Sequence, residues 1–283
     1  MNKLDKQFSK KALVAIIITT KNEEDVLARL LESIKNQTYK NIKTVVVDNN
    51  STDKTVEIAK KYTKSIYRYG PERSAQRNYG AKKSRGEYIL FLDADMQLTK
   101  KVISECVKKA EENPKIGGII IPEQSIANSF WEKVKAYERS FYNLSGDESV
   151  DAARFIRRKA FEKVGGYDES ITGPEDWDLP ENVKKKGYEI IRVKPLIYHY
   201  ERVKNLFSLV RKKYYYGLRS SKYLEKHGIS PISSKTIYFM RPVFYKNWKR
   251  LLGNPTMSVA MLIMFFFETL GGGLGYLKGK LNG

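Results

Sequence analysis

Through the first 120 residues, apolar runs of strand length alternate with stretches of helical periodicity, and this alternation narrows the possible folds more than any other feature. "ALVAIIITT" (12–20) is β-branched and unbroken, and "EEDVLARLLESIKNQ" then spaces its leucines and Ile34 for one helix face. "IKTVVVD" (42–48) is a second strand, and "STDKTVEIAKKY" is a helix opened by good N-caps in Ser51, Thr52 and Asp53. "SIYRYG" reads as a short strand and "SAQRNYGAKKSRG" as a helix closed by Gly86. "EYILFLD" (87–93), "TKKVISECVKKAEEN" and "IGGIIIP" continue as strand, helix and strand. Strands without polar alternation are covered on both faces, which predicts an α/β fold with a mostly parallel central sheet flanked by helices. Ligands in such sheets bind beyond the carboxyl ends of the strands. Thr19 and Thr20 with the loop to Asn22, Asp48 to Asn50, and Asp93 to Asp95 are therefore the residues to inspect.

Residues 122–200 are less regular, with helices over "NSFWEKVKAYERSFYN" and "ENVKKKGYE" and no repeat or clean linker. A single domain over 12–225 is expected, preceded by a polar arm (1–11) and followed by a basic, amphipathic and apolar helical tail (226–283). The C-terminal part of the chain stands out by charge. Residues 201–283 hold 15 Lys/Arg against 3 Asp/Glu, a net +12 out of the chain's +20. Such a block fits either an anionic partner or a solvated basic face. "MSVAMLIMFFFETLGGGLGYL" (257–277) carries one charge, Glu268, and four glycines after position 270. It is long enough to span a bilayer, yet a charge at mid-membrane costs about 2.5–3.5 kcal/mol on insertion scales. A spanning segment, a helix lying in the interface and a packed helix all fit. The single cysteine, Cys106, excludes a disulfide framework or a multi-thiolate zinc site, and the first 20 residues show no secretory pattern.

Asp93 and Asp95 end an apolar strand one residue apart, and carboxylates so placed can converge on a hard divalent cation. Two loop aspartates near a helix start would look the same. Asp48, Asn49, Asn50 and Ser51 fit either a nucleoside contact or a turn. Arg73 and Arg77, at i and i+4, share a helix face suited to a diphosphate or to orienting the aspartates. Glu175 and Asp176, in "TGPEDWDLP", fit a general base or charges that complement a helix dipole. His199, at a strand end in "LIYHYE", fits a structural role or a further ligand in a mixed oxygen–nitrogen site.

In order and spacing, these motifs resemble the family 2 glycosyltransferases over about residues 12–219. The matching pieces are "VAIIITTKNEED", "VVVDNNSTDKT", "RSAQRNYGAKKSRGEYILFLDADMQLT" and "FIRRKAFEKVGGYDESITGPEDWDLP". The resemblance implies a GT-A fold, an inverting reaction, a UDP- or GDP-linked sugar donor, and Mn²⁺ or Mg²⁺. It puts Thr19, Glu23 and Asp48 at the nucleoside, with Thr20 and Asn50 beside them, and Asp93 at the donor sugars with a share in the metal site. Asp95 and His199 fall on metal ligands, Asp176 on the base with Glu175 beside it, and Lys213, in "RKKYYYG", on a segment that closes over the diphosphate. Asn49 departs from the acidic pair many members carry. The expected acceptor is a hydroxyl of a glycan or a lipid-linked saccharide, at the cytoplasmic face of a membrane. A polyprenyl-phosphate acceptor, a nucleotidyltransferase and a basic nucleic-acid-binding protein are the rival readings. Paired strand-end carboxylates that repel phosphate speak against nucleic acid.

Overall fold

A computed structural model of the chain describes residues 11–146 and 151–281; apart from Lys11, the arm expected over 1–11 lies outside them. The order is β1 (Val14–Thr20), α1 (Leu27–Lys35), β2 (Ile42–Asp48), α2 (Thr55–Lys60), β3 (Ile66–Arg68), α3 (Arg73–Lys83), β4 (Tyr88–Asp93), β5 (Met96–Leu98), α4 (Val102–Glu112), β6 (Ile116–Ile120) and β7 (Glu123–Ile126). Then follow α5 (Phe130–Arg139), β8 (Ala153–Arg157), α6 (Arg158–Lys163), α7 (Glu175–Lys185), β9 (Glu189–Arg192), β10 (Ile197–Tyr200), α8 (Leu206–Lys226), a 3₁₀ turn (Tyr238–Met240), α9 (Pro242–Lys246), α10 (Trp248–Gly253) and α11 (Pro255–Leu281).

The main sheet runs β3-β2-β1-β4-β8-β6-β9. All pairings are parallel except those of β8, which lies antiparallel between β4 and β6. All seven residues of β1 are buried, because helices cover both faces of the strand as its unbroken apolar run predicts. The alternating α/β expectation therefore holds. Register brings the chemistry-bearing ends level: Thr20 pairs with Asp48 and Thr19 with Asp93.

A second sheet, β5-β10-β7, was not legible in the sequence. It sets His199 opposite Met96 on one side and Ser125 on the other, next to Asp95 and near Glu123. Two local expectations differ. α3 ends at Lys83, and Gly86 instead turns the chain into β4 with φ +146°, where a Cβ would lie 2.6 Å from the Leu13 carbonyl. α2 starts at Thr55, and Asp53 folds back on it, accepting from the Thr55 amide at 3.0 Å.

The tail is helical, as its pattern predicts. α11 packs along α8 through a glycine stripe. A Cβ on Gly271, Gly275 or Gly279 would lie 2.1–2.5 Å from the carbonyl oxygen of Val210, Tyr214 or Leu218 respectively. The two helices thus meet backbone to backbone. Glu268, buried in this packing, meets Lys135 Nζ of α5 at 3.0 Å and Lys213 Nζ of α8 at 3.6 Å, while Lys135 also pairs with Glu138 at 2.8 Å. Burial alone would raise the Glu268 carboxyl, but the two lysines outweigh it and bring it down to about 2. The opposite face of α11 exposes Val259, Leu262, Phe266, Leu270, Leu274 and Leu277. By length and composition alone, α11 suffices to cross a membrane.

Candidate active site

The carboxyl ends of β4 and β6 open on a cleft of about 290 Å³, closed on the far side by the start of α7 and by α8. α3 lies flat on the sheet beneath it. A Cβ on Gly80 would come within 2.5 Å of Ile17, so only glycine lets the helix approach this closely. Gln76 fixes the helix to the strand ends, donating to the carbonyls of Val47 (2.7 Å) and Thr20 (3.2 Å). That seat holds the next residue, Arg77, with 1% of its surface exposed.

Arg77 joins the two halves of the cleft. Its Nη2 donates to Asp93 Oδ1 at 2.9 Å and its Nη1 to Asp176 Oδ1 at 2.6 Å. Asp93 comes from the end of β4 and Asp176 from the first turn of α7, 83 residues apart in sequence by subtraction of their numbers. Asp93 Oδ2 meets Arg154 Nη1 at 3.3 Å, and Arg154 Nε donates to Glu123 Oε1 at 2.6 Å. Burial would raise the Asp93 carboxyl, but Arg77 and Arg154 hold it far below the usual carboxylate range. Both Asp93 oxygens are thus engaged with arginines. Glu175 lies behind this layer, 1% exposed, with Oε1 3.1 Å from Arg73 Nη2. Burial, seconded by Asp176 and opposed by Arg73, pushes its carboxyl up. Arg73 in turn donates to the Tyr216 hydroxyl of α8 at 3.1 Å.

Asp95 faces the small sheet. Its Oδ1 is buried without a hydrogen-bond partner and lies 3.6 Å from His199 Nε2, too far for a hydrogen bond. His199 Nδ1 lies 2.8 Å from Glu123 Oε2 and 3.1 Å from Arg139 Nη1. Burial and Arg139 would lower the imidazole, yet the Asp95 and Glu123 carboxylates win and push it up to about 9. Burial would raise Asp95, and His199 and Lys212 bring it down. Among the described residues, no three His, Cys, Asp or Glu side chains form a metal-ligand cluster. An orphaned carboxylate oxygen facing an imidazole, with room beside them, nonetheless fits a hard cation that takes its other ligands from a diphosphate and water.

The carboxyl ends of β1 and β2 lie apart from this cleft and are well braced. Asp48 is fully buried, accepting from the Thr20 hydroxyl at 2.8 Å and the Ser51 amide at 2.8 Å. Thr19 is buried at its strand end, while Asn50 is exposed with φ +50°. The Glu23 amide donates to Thr55 Oγ1 at 2.7 Å, and its carboxylate pairs with Arg202. Lys213 lines the cleft but is committed to Glu268 and Tyr238. Sequence reasoning missed Glu123, Arg139, Arg154 and Tyr216. The strand "EQSI" is short and polar, and the two arginines lie in basic stretches with nothing in their spacing to single them out.

Residues 15–165 match the sequence model described as glycosyl transferase family 2. The chain is 31% identical over 189 residues to a beta-monoglucosyldiacylglycerol synthase of Nostoc sp., a match covering 59% of this chain and 40% of that protein. It thus spans two fifths of that relative's length. It is 29% identical over 256 residues to an uncharacterized glycosyltransferase of Methanocaldococcus jannaschii, covering 83% of this chain and 86% of the other. Among solved structures, a mannosyltransferase from Pyrobaculum calidifontis in complex with GDP-Man and Mn²⁺ aligns at TM-score 0.61 and 15% identity, covering 97% and 88% of the two chains. Residues 1–349 of S. aureus TarS, in complex with UDP-GlcNAc, align at TM-score 0.56 and 18% identity, covering 91% and 81%. The shared fold is GT-A.

Proposed function

Because the chain belongs to glycosyl transferase family 2, we propose that it moves a sugar from a UDP- or GDP-linked donor to a hydroxyl of a glycan or lipid-linked saccharide, with inversion and with Mn²⁺ or Mg²⁺. The observation that carries this reading is the single guanidinium of Arg77 holding Asp93 and Asp176 on either side of one cleft, at 2.9 and 2.6 Å.

In this reading Thr19, Glu23, Asp48 and Asn50 border the nucleoside, and Asp93, pinned by two arginines, faces the donor's sugars. Asp95 and His199 would hold the cation, with Glu123 orienting the imidazole so that Nε2 turns to Asp95. When bound, the cation supplies electrostatic stabilisation to the departing diphosphate. Lys212, near Asp95, adds positive charge on the same side. Asp176, 23% exposed on its side chain and fixed through Oδ1, takes the proton of the acceptor hydroxyl. Glu175, behind the arginines, positions Arg73 rather than touching substrate. The name of the Nostoc relative, a beta-monoglucosyldiacylglycerol synthase, supports a lipid at the acceptor end. The exposed apolar face of α11 and the basic tail support binding at a membrane surface, with residues 12–225 as the transferase unit.

The test is donor hydrolysis and sugar transfer by wild type, Asp95→Ala and Asp176→Asn, with and without EDTA. Asp176→Asn is expected to keep the thermal shift given by UDP- or GDP-sugars and to lose transfer by about 10²–10⁴-fold. Asp95→Ala is expected to lose the response to Mn²⁺. Normal transfer by both variants, or activity indifferent to EDTA, would remove the assignment.

A further inference from the structure

Beside the cleft lies a second chamber of about 360 Å³, bounded by α8, α11 and the segment leading to the 3₁₀ turn. The roles assigned above leave it without one. It shares a wall with the cleft, formed by Gly173, Trp177, Lys213, Tyr216, Tyr238 and Glu268. The two spaces differ in chemistry. The cleft is lined by ion pairs, whereas beyond the common wall the chamber is mostly apolar, faced by Tyr223, Leu224, Pro231, Ile237 and Tyr276, with Ser220, Lys235 and Thr236 among them.

The chamber is held open by a missing side chain. Gly272 lines it, and a Cβ there would meet nothing within 4 Å. An interior helical glycine is about 1 kcal/mol less favourable than alanine. Gly271, Gly275 and Gly279 have a packing reason for being glycine, since each touches α8; Gly272 has none. Thr269, one turn before Gly273, also lines the space, with its Oγ1 buried and unpartnered. Leu270 and Leu274, flanking this stretch, belong to the exposed apolar face of α11. The layout is polar at Asp176, apolar in the chamber and apolar again at the surface.

We propose that the chamber holds the hydrocarbon chain of the acceptor, an amphiphile whose hydroxyl-bearing head lies in the cleft at Asp176. The proposal deepens the transferase reading and rests on it. An alkyl chain gains about 0.8 kcal/mol per buried methylene, a factor of about four in affinity. An apolar occupant obtains that gain here, because most of the chamber's exposed wall is apolar.

The experiment measures binding of methyl, octyl and dodecyl glucoside, below their micelle concentrations, to the full chain by calorimetry. Affinity is expected to rise about fourfold per methylene and to level off once the chamber is full. Gly272→Phe, filling from α11, and Ser220→Phe, filling from α8, are each expected to weaken dodecyl binding at least about tenfold. Both should leave the nucleotide-sugar thermal shift unchanged. Binding independent of chain length in wild type would overturn the proposal, as would wild-type dodecyl binding in both variants. So would loss of dodecyl binding in Leu270→Ser and Leu274→Ser with retention in Gly272→Phe, which would put the chain on the outer face of α11. Should a filling variant not fold, the wild-type series and the two serine variants still decide. A missing nucleotide-sugar shift in wild type, with chain-length dependence intact, would overturn the transferase reading alone.

Discussion

Arg77 carries two obligations with one planar group. Its fork reaches Asp93 and Asp176 simultaneously through two separate nitrogens, a planar span that the single ammonium of a lysine does not reproduce. Arg77→Lys is therefore expected to lower kcat by about 100-fold, the penalty of roughly an ångström of misplacement at a reacting group. Steady-state kinetics with saturating donor check this, and a change within twofold would show that the bridge is dispensable. The i, i+4 spacing of "RSAQR" correctly placed both arginines on one face. Their distant partners lay beyond local reading, because Asp176 comes from α7 and Tyr216 from α8, brought to the site only by the fold. The same distance hid Glu123, whose importance comes from His199 across a three-stranded sheet of short, aperiodic strands.

At the scale of elements, α8 and α11 show what periodicity can and cannot reveal. β1, β2 and β4 were legible because burial on both faces writes an unbroken apolar run. β5 and β7, of three and four residues, bury too little to leave a pattern. The apolar 257–277 segment was legible as a helix, while the purpose of its glycines was not, since the i, i+4, i+8 spacing of Gly271, Gly275 and Gly279 does not say which helix they meet. The stripe makes a paired prediction. Gly275→Ala would push a Cβ to 2.1 Å from the Tyr214 carbonyl and should lower stability by roughly 1–3 kcal/mol. Gly272→Ala, at the open neighbour, should gain about 1 kcal/mol, or about 2–4 °C in Tm. Thermal melts of the two variants side by side check the sign of each; equal shifts would mean that α11 does not pack on α8 as described.

For the whole molecule, two predictions concern how the tail is held and what it meets. Glu268 is the ionic tie between α11 and the rest. Its folded-state carboxyl lies at about 2 against an ordinary 4.5, so its stabilisation is present above pH 4.5 and is lost as pH falls towards 2. Glu268→Gln should remove that part of the acid sensitivity and lower stability at neutral pH by roughly 3 kcal/mol, because Lys135 is left buried with fewer partners. Denaturant titrations of both proteins at pH 7 and pH 3 measure it. A gap that does not narrow at pH 3 would show that the tie is not ionic. The net +12 of residues 201–283 and the apolar stripe of α11 also predict binding to anionic vesicles that weakens with salt. Phe266→Asp with Leu274→Asp should abolish it. Flotation of the full chain over a salt series checks this, and a chain that stays at the bottom of the gradient throughout would refute it.

Backbone contact between α8 and α11 has a mechanical corollary. Side chains can bend to accommodate strain, but two helices meeting through glycine have almost no compliance between their axes. α8 also supplies Tyr216 to the cleft wall, tied to Arg73, which in turn pairs with Glu175. With the outer stripe resting on a surface, the height of Asp176 above that surface becomes a fixed length. On the proposed function, the molecule would then work as a depth gauge, selecting hydroxyls by how far they stand from the plane it sits on, as well as by what sugar bears them.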